Sequence, residues 1–278
     1  MIYGIVLINR RSCGMKKLKN IKQILKKYNK VSLWVYFFLR VLVILCMIRE
    51  LYRGNFENAL LCILSLILFL LPVIVEKTFK VDLPPTLEVI ILVFIFSAEI
   101  LGEINNFYGQ FPNFDDILHT INGFLAASVG FSLVYLLNEN TEKFHLSPIF
   151  VAIVAFCFSM TIGVFWEFFE YGMDQFVGLD MQKDSYVETI RTVTLDPEQS
   201  NQVVTFDDIS KTVLYDESGN EIVEIPHYLD IGLHDTMQDL FVNFIGAFVF
   251  SIFGYLYILN QKQYKIAGVF LTKRMKRE

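Results

Sequence analysis

The sequence is poor in cysteine and in charged residues. Its 278 residues include four cysteines, none of them in a C-x-x-C pair, which excludes a disulfide framework and a cysteine-rich zinc site. Charged residues make up 19% of the chain and hydrophobic residues 54%, whereas a soluble domain is about a quarter charged. This composition excludes a disordered chain, a collagen and an ordinary soluble enzyme.

Several motifs of known chemistry are also missing. The chain contains no G-x-x-x-x-G-K-[ST], no H-E-x-x-H, no G-x-S-x-G and no Rossmann fingerprint. These motifs bind nucleotide phosphates, hold a catalytic zinc ion or present a nucleophilic serine. ATP-driven transport by this chain alone is therefore not expected.

Apolar residues instead occur in blocks of about 20, the length that crosses ~30 Å of hydrocarbon. Six such blocks lie at 32–49, 57–75, 84–102, 117–137, 147–170 and 236–259. We predict an all-α integral membrane protein with about six transmembrane helices and a small external β-containing loop insertion.

Basic residues predict the orientation of these helices. With the N-terminus inside, the inner segments carry eighteen Lys and Arg and the outer segments carry four, and cytoplasmic loops are the ones enriched in these residues. We therefore expect a multi-pass membrane protein with both termini cytoplasmic and loop 171–235 external. The basic ends are expected to contact membrane lipid rather than nucleic acid. A start at Met15 instead of Met1 stays open.

Five parts are expected along the chain: a basic cytoplasmic segment at 1–31, helices at 32–177, an acidic external loop at 178–233, a last helix at 234–260 and a basic cytoplasmic tail at 261–278. Residues 171–235 carry fourteen Asp and Glu against three Lys and Arg. Its β-rich runs between turn residues predict a β appendage at about 186–226, and LYDESGNEIVEI predicts a hairpin.

Three polar clusters lie where apolar helices begin or end, although an ionisable residue costs roughly 2.5–3.5 kcal/mol near the centre of a span. They are FDDILHTINGF before the fourth span, FWEFFEYGMDQF after the fifth and HDTMQDLFVNFIGAF before the sixth. In each cluster the polar residues recur at helical spacing on one face. These residues are Asp116 and His119, then Glu167, Glu170 and Asp174, then Asp235, Asp239 and Asn243. The predicted orientation puts all three clusters on the outer side, so we expect one composite site at that interface.

Like charges this close cannot all ionise unaided, and a bound cation solves the problem. We expect a divalent metal ion, because oxygen ligands with an imidazole suit Mg, Mn, Fe or Zn. The expected metal ligands are Asp116, His119, Glu167 and Asp235. The expected catalytic residues are Glu170, as a general base, and Asp239. The expected supporting residues behind them are Asn243, His234 and Glu99.

Simpler interpretations stay open. Asp116 and Asp235 can cap helix N-termini, which does not explain His119, Asp239 or Asn243 one to two turns further in. Those three can form hydrogen bonds between helices. A cation- or proton-coupled permeation protein also uses acids within the membrane, and a structural or accessory protein would use the loop to bind a partner.

The order F-D-D-x-L-H-x-x-x-G-F, W-E-F-x-E and D-T-x-x-D-x-x-x-N-x-x-G-A resembles that of the YjdF-like bacterial inner-membrane proteins, a family of unknown function. A looser likeness links the chain to VanZ-like proteins. The resemblance spans about 84–259 without the loop, and it implies a functional site but no established reaction. It also implies a location in the bacterial cytoplasmic membrane. The clusters themselves, at headgroup depth, favour a metal-dependent membrane hydrolase or transferase that acts on a lipid or lipid-linked envelope substrate. The oligomeric state is left open.

Overall fold

The computed structural model describes residues 30–79, 81–139 and 146–274. The helices are α1 (Lys30–Arg53), α2 (Phe56–Leu68), α3 (Leu71–Phe79), α4 (Pro85–Phe96), α5 (Phe107–Gln110), α6 (Phe114–Glu139), α7 (Pro148–Val177), α8 (Leu233–Leu259) and α9 (Ile266–Phe270), with a π-helix (Ser97–Ile104) that continues α4. The strands are β1 (Val81–Asp82), β2 (Ser185–Val187), β3 (Ile190–Thr192), β4 (Val204–Phe206), β5 (Lys211–Tyr215), β6 (Glu221–Pro226), β7 (Tyr228–Asp230) and β8 (Lys273–Arg274). Most of the basic N-terminal segment and the end of the basic tail lie outside the described residues.

Five helical segments within the described ranges are long and apolar enough to cross a membrane. They are Ser32–Arg53, Phe56–Thr78, Phe114–Asn138, Pro148–Val177 and Leu233–Leu259. The predicted all-α membrane class is thereby confirmed. The count of six spans is approximate, because the segment at 84–102 folds as the 12-residue α4 followed by 8 residues of π-helix.

Three long helices, α6, α7 and α8, pack against one another and form the bundle that carries the site. Their shared core contains the buried side chains of Ala127, Phe131, Val151, Ala155 and Phe250. Helices α1, α2 and α4 form a second core around Val43, Cys62 and Leu92. These helices are apolar on most faces, as lipid-exposed helices must be.

Glycines bring α6 and α8 into direct backbone contact. A Cβ atom on Gly123 would collide with the carbonyl oxygen of Asn243, and a Cβ atom on Gly246 would collide with the carbonyl oxygen of Thr120. Gly163 brings α7 to the same place, since its Cβ would lie 2.7 Å from Nδ2 of Asn243. Small residues at crossings are how membrane helices approach closely.

The segment between α7 and α8 carries the predicted β appendage. It contains three antiparallel pairs, β2 with β7, β3 with β4 and β5 with β6, and the last pair is the predicted hairpin, which is confirmed. Asp196 stabilises the loop between β3 and β4 by accepting hydrogen bonds from Ser200. Asp216 stabilises the turn between β5 and β6 by accepting hydrogen bonds from Asn220. These bonds keep the pKa of both carboxyl groups below its usual range. That the appendage lies outside the cell stays a prediction.

Because α6 and α8 cross so closely, the loss of stability on replacing a glycine with alanine should depend strongly on where that glycine lies. Gly246→Ala is expected to destabilise the protein by about 1–3 kcal/mol, because the new methyl group overpacks against backbone atoms that cannot move aside alone. Gly172→Ala is the matched control, since its Cβ would meet only a ring carbon of Phe176 at 4.0 Å. Thermal unfolding in detergent measures both variants, and equal melting temperatures would contradict the close crossing.

Candidate metal centre

Three helix ends bring the polar clusters together at one end of the bundle. His119 lies in the second turn of α6, Glu167 and Glu170 lie in the last turns of α7, and Asp239 lies in the second turn of α8. All four side chains are buried, and each offers one ligand atom within 4.8 Å of the other three. The antiparallel order of the helices makes this convergence possible, because α7 ends where α6 and α8 begin.

The imidazole of His119 lies between carboxylates at distances that suit shared ligation. Its Nε2 atom is 3.7 Å from Oδ2 of Asp239, and its Nδ1 atom is 3.8 Å from Oε1 of Glu167. Both distances exceed those of ordinary hydrogen bonds. Two ligands that hold one ion at about 2.0–2.2 Å lie roughly 3–4 Å apart. Either contact falls in this range, but an imidazole binds one ion through one nitrogen only, so one of the two contacts is a ligand–ligand distance and the other lies on the far side of the ring.

Several buried carboxylate oxygens in this group have no hydrogen-bond partner. They are both oxygens of Glu167, Oε2 of Glu170 and Oδ2 of Asp239. Thr236 is near enough to Glu167 to interact with its carboxylate, without the geometry of a hydrogen bond. Trp166 Nε1 donates to the other Glu170 oxygen, Oε1, over 2.8 Å. Buried charged groups are normally paired or bound to a metal ion, so these oxygens fit a cation.

A second acidic group adjoins the first. Asp115 and Asp235, both half-buried, join Asp239 in a set of three whose ligand atoms also lie within 4.8 Å of one another. Asp115 Oδ1 is 3.5 Å from His119 Nε2. Asp239 is the residue that belongs to both groups.

The segment that follows α7 folds back over this second group. Gly178 directly follows the last residue of α7, and its φ of +77° is the left-handed conformation that glycine commonly adopts at the C-terminus of a helix. The carboxylate of Asp174 then accepts hydrogen bonds from the backbone amides of Met181 and Gln182 at 2.6 and 2.9 Å. The backbone amide of Lys183 donates to Asp235 Oδ2 over 2.7 Å. The anchoring segment Met181–Lys183 is thus fastened to both α7 and α8.

Lys183 supplies a positive charge that the sequence analysis missed. Its positive charge lowers the electrostatic cost of ionising Asp115 and Asp235, and its ammonium group donates to the carbonyl oxygen of Asp180. Tyr108 was missed as well, and its ring packs against Gly102. Neither residue lies in a long apolar helix, so the helical spacing that identified the other site residues in the sequence could not identify these two.

Some predicted site residues lie apart from both groups. Asp116 accepts a hydrogen bond from Gln238 Nε2 over 2.8 Å, and His234 is exposed beside Asp230 at 3.2 Å. Glu99 is half-buried in the π-helix. Their assigned roles in a metal site stay predictions.

Asn243 lies one turn deeper than Asp239 and is fully buried. Its Oδ1 atom accepts a hydrogen bond from Asn122 over 3.4 Å, and its Nδ2 atom lies 3.6 Å from the sulfur of Met160. These contacts tie α6, α7 and α8 together beneath the four ligand candidates. The supporting role predicted for Asn243 is compatible with this place but stays a prediction.

Comparison with known proteins identifies a family. The family model described as "Predicted membrane protein (DUF2238)" matches residues 31–260, in agreement with the resemblance to the YjdF-like proteins. The likeness to VanZ-like proteins finds no support. No curated protein and no solved structure matches the chain.

The anchoring of Met181–Lys183 leads to a prediction that does not depend on a metal ion. Asp174→Ala removes the acceptor of two backbone amides, so trypsin cleavage after Lys183 is expected to become several-fold faster. Cleavage after Lys211, in the hairpin far from Asp174 in sequence, is the internal reference and should stay constant. Mass spectrometry of timed digests measures both sites, and unchanged cleavage after Lys183 would show that Asp174 does not hold the segment.

Proposed function

We propose that this protein, which belongs to the DUF2238 family of predicted membrane proteins, holds a divalent metal ion at one end of its helical bundle and uses it in hydrolysis or group transfer. The substrate is a lipid or a lipid-linked envelope precursor. His119, Glu167 and Asp239 bind the ion, and Glu170 is the general base or the fourth ligand.

One observation carries this proposal: four buried side chains converge from three helices, and four of their six carboxylate oxygens lack hydrogen-bond partners. Interhelical hydrogen bonding alone would bring the oxygen and nitrogen atoms to about 2.7–3.2 Å, and the His119 contacts are longer. Carboxylates and one imidazole form a donor set suited to Mn, Fe or Zn.

The residues around the ligand candidates have distinct tasks. One nitrogen of His119 is available to the ion, and the other can donate its proton to a neighbouring carboxylate, which orients the ring. Trp166 holds one oxygen of Glu170 by a hydrogen bond and leaves the second oxygen without a partner, as a base that accepts a proton requires. A bound divalent ion would polarise a carbonyl or phosphoryl oxygen and lower the pKa of a bound water.

The surroundings of the site support a substrate with an apolar part. Large exposed aromatic side chains flank it on the last turns of α7 and the first turns of α8, among them Phe165, Phe168, Phe169 and Phe241. A membrane-spanning helix presents such side chains to lipid. Lipid headgroups lie at the ends of spanning helices, so a lipid substrate would reach the acids from the side.

The rival function, cation or proton permeation, requires polar groups that continue through the bundle. Below Asn243, the space between α6, α7 and α8 is instead filled by the fully buried Phe131 and Phe250, with Phe124 and Phe270 edge-on to Phe250. This closed aromatic core favours a site with one open end over a path across the membrane.

The first test is the metal content of the purified protein, extracted without chelators and measured by elemental mass spectrometry. Near-stoichiometric divalent metal is expected in the wild type. His119→Ala and Asp239→Ala are each expected to lower it at least tenfold, because each removes a ligand and leaves the others too few to hold the ion.

His234→Ala is the matched control, since this histidine is exposed and bonded to Asp230 outside the site. Its metal content should equal that of the wild type. Folded wild-type protein without metal would reject the proposed centre, and cation flux through proteoliposomes would then be the measurement to make. If the metal is present, Glu170→Gln should abolish hydrolysis or transfer of headgroups in lipid vesicles.

A further inference from the structure

The two acidic groups at the end of the bundle share one residue, Asp239. We propose that the centre is dinuclear: Asp239 bridges two divalent ions, the second of which is held by Asp115 and Asp235. This inference rests on the proposed function, because the second ion requires the first.

The geometry of the shared carboxylate suits a bridge. Asp239 is 2% exposed, and its unpartnered Oδ2 atom faces His119 at 3.7 Å in the first group. The same side chain has a ligand atom within 4.8 Å of Asp115 and Asp235 in the second group. A carboxylate can give one oxygen to each of two ions, and ions in such sites lie about 3.5–4 Å apart.

The charges of the described residues also favour two ions. The ligand candidates include five carboxylates, those of Asp115, Glu167, Glu170, Asp235 and Asp239. One divalent ion together with Lys183 leaves a formal charge of −2 when all five are ionised, whereas two divalent ions and Lys183 leave none. In a site this buried, the alternative to a second cation is protonation of two of the acids.

The second group differs from the first in its access to solvent. Asp115 and Asp235 are half-buried, while all the members of the first group are buried. A backbone amide already occupies Asp235 Oδ2, so the second ion receives few protein ligands and keeps positions for water or for substrate oxygens. Oxygen-only ligands and retained waters are typical of Mg and Mn. The backbone amide of Lys183 is bonded to Asp235, and an ammonium group in this segment would attract an anionic substrate oxygen, as in phosphate esters.

The test is Mn(II) binding to the full chain in lipid nanodiscs after removal of bound metal, followed by elemental analysis and electron paramagnetic resonance. Two Mn per chain are expected in the wild type, with the spectrum of a spin-coupled pair. Asp115→Asn should bind one Mn with the spectrum of an isolated ion, and Asp235→Asn should do the same. The single remaining ion also shows that each variant is folded.

Asp207→Asn is the control for loss of a carboxylate, because Asp207 lies in the appendage and accepts a hydrogen bond from Thr189 outside both groups. It should keep two coupled ions. One Mn in the wild type, unchanged by Asp115→Asn, would overturn the dinuclear centre and leave the proposed function standing. Loss of all Mn in both Asp115→Asn and Asp235→Asn would also overturn it, since the acids would then form one site. No Mn in folded wild-type protein would overturn the dinuclear centre, and it would overturn the proposed function as well if the protein purified without chelators also contains no divalent metal.

Discussion

The backbone contact between α6 and α8 determines the geometry of the whole site. Gly123 and Gly246 have no Cβ atoms, so the two helices approach until each glycine meets a carbonyl group of the other helix. His119 precedes Gly123 by four residues and Asp239 precedes Gly246 by seven, spacings that keep each pair on one helix face. The face that makes the crossing is therefore the face that presents the imidazole and the carboxylate to each other. A looser crossing would separate them by more than one ion can span.

Placing acidic side chains within a membrane-spanning helix costs free energy, and grouping them at one place changes how that cost can be compensated. Buried singly, Glu167, Glu170 and Asp239 would each need a partner of its own. Gathered in one place, all three lie within reach of the same proposed ions. The polar atoms beneath them need no such charge, because Asn122 and Asn243 bond to each other, and Ser159 donates to the carbonyl oxygen of Gly123 over 2.7 Å.

The fold class and the convergence of the three clusters follow from the sequence, because apolar length, charge distribution and helical spacing are properties of the chain itself. The choice between Asp115 and Asp116 does not follow, since positions three and four residues before His119 both share its face. Only the rotation of α6 against α8 decides between them. The position of Glu99 does not follow from the sequence either, because the π-helix alters the angular spacing of residues 97–104, and nothing in an apolar segment marks that change. Lys183 lies in an irregular segment, where backbone hydrogen bonds rather than periodicity set its position.

The long insertion between α7 and α8 is bonded to the helices of the site at both of its ends. Strands β2 and β7 pair with Ser185 opposite Asp230, so the two ends of the insertion meet directly beside the helix termini. On one side Met181–Lys183 is bound to Asp174 and Asp235. On the other, Asp230 Oδ2 accepts from the backbone amide of His234 in the first turn of α8. Because the pairing of β2 with β7 already fixes both ends of the insertion, we expect that the hairpin of β5 and β6 can change in length or sequence without moving the carboxylates of the site. The chemistry at the helix ends and any recognition by the appendage are therefore structurally separable.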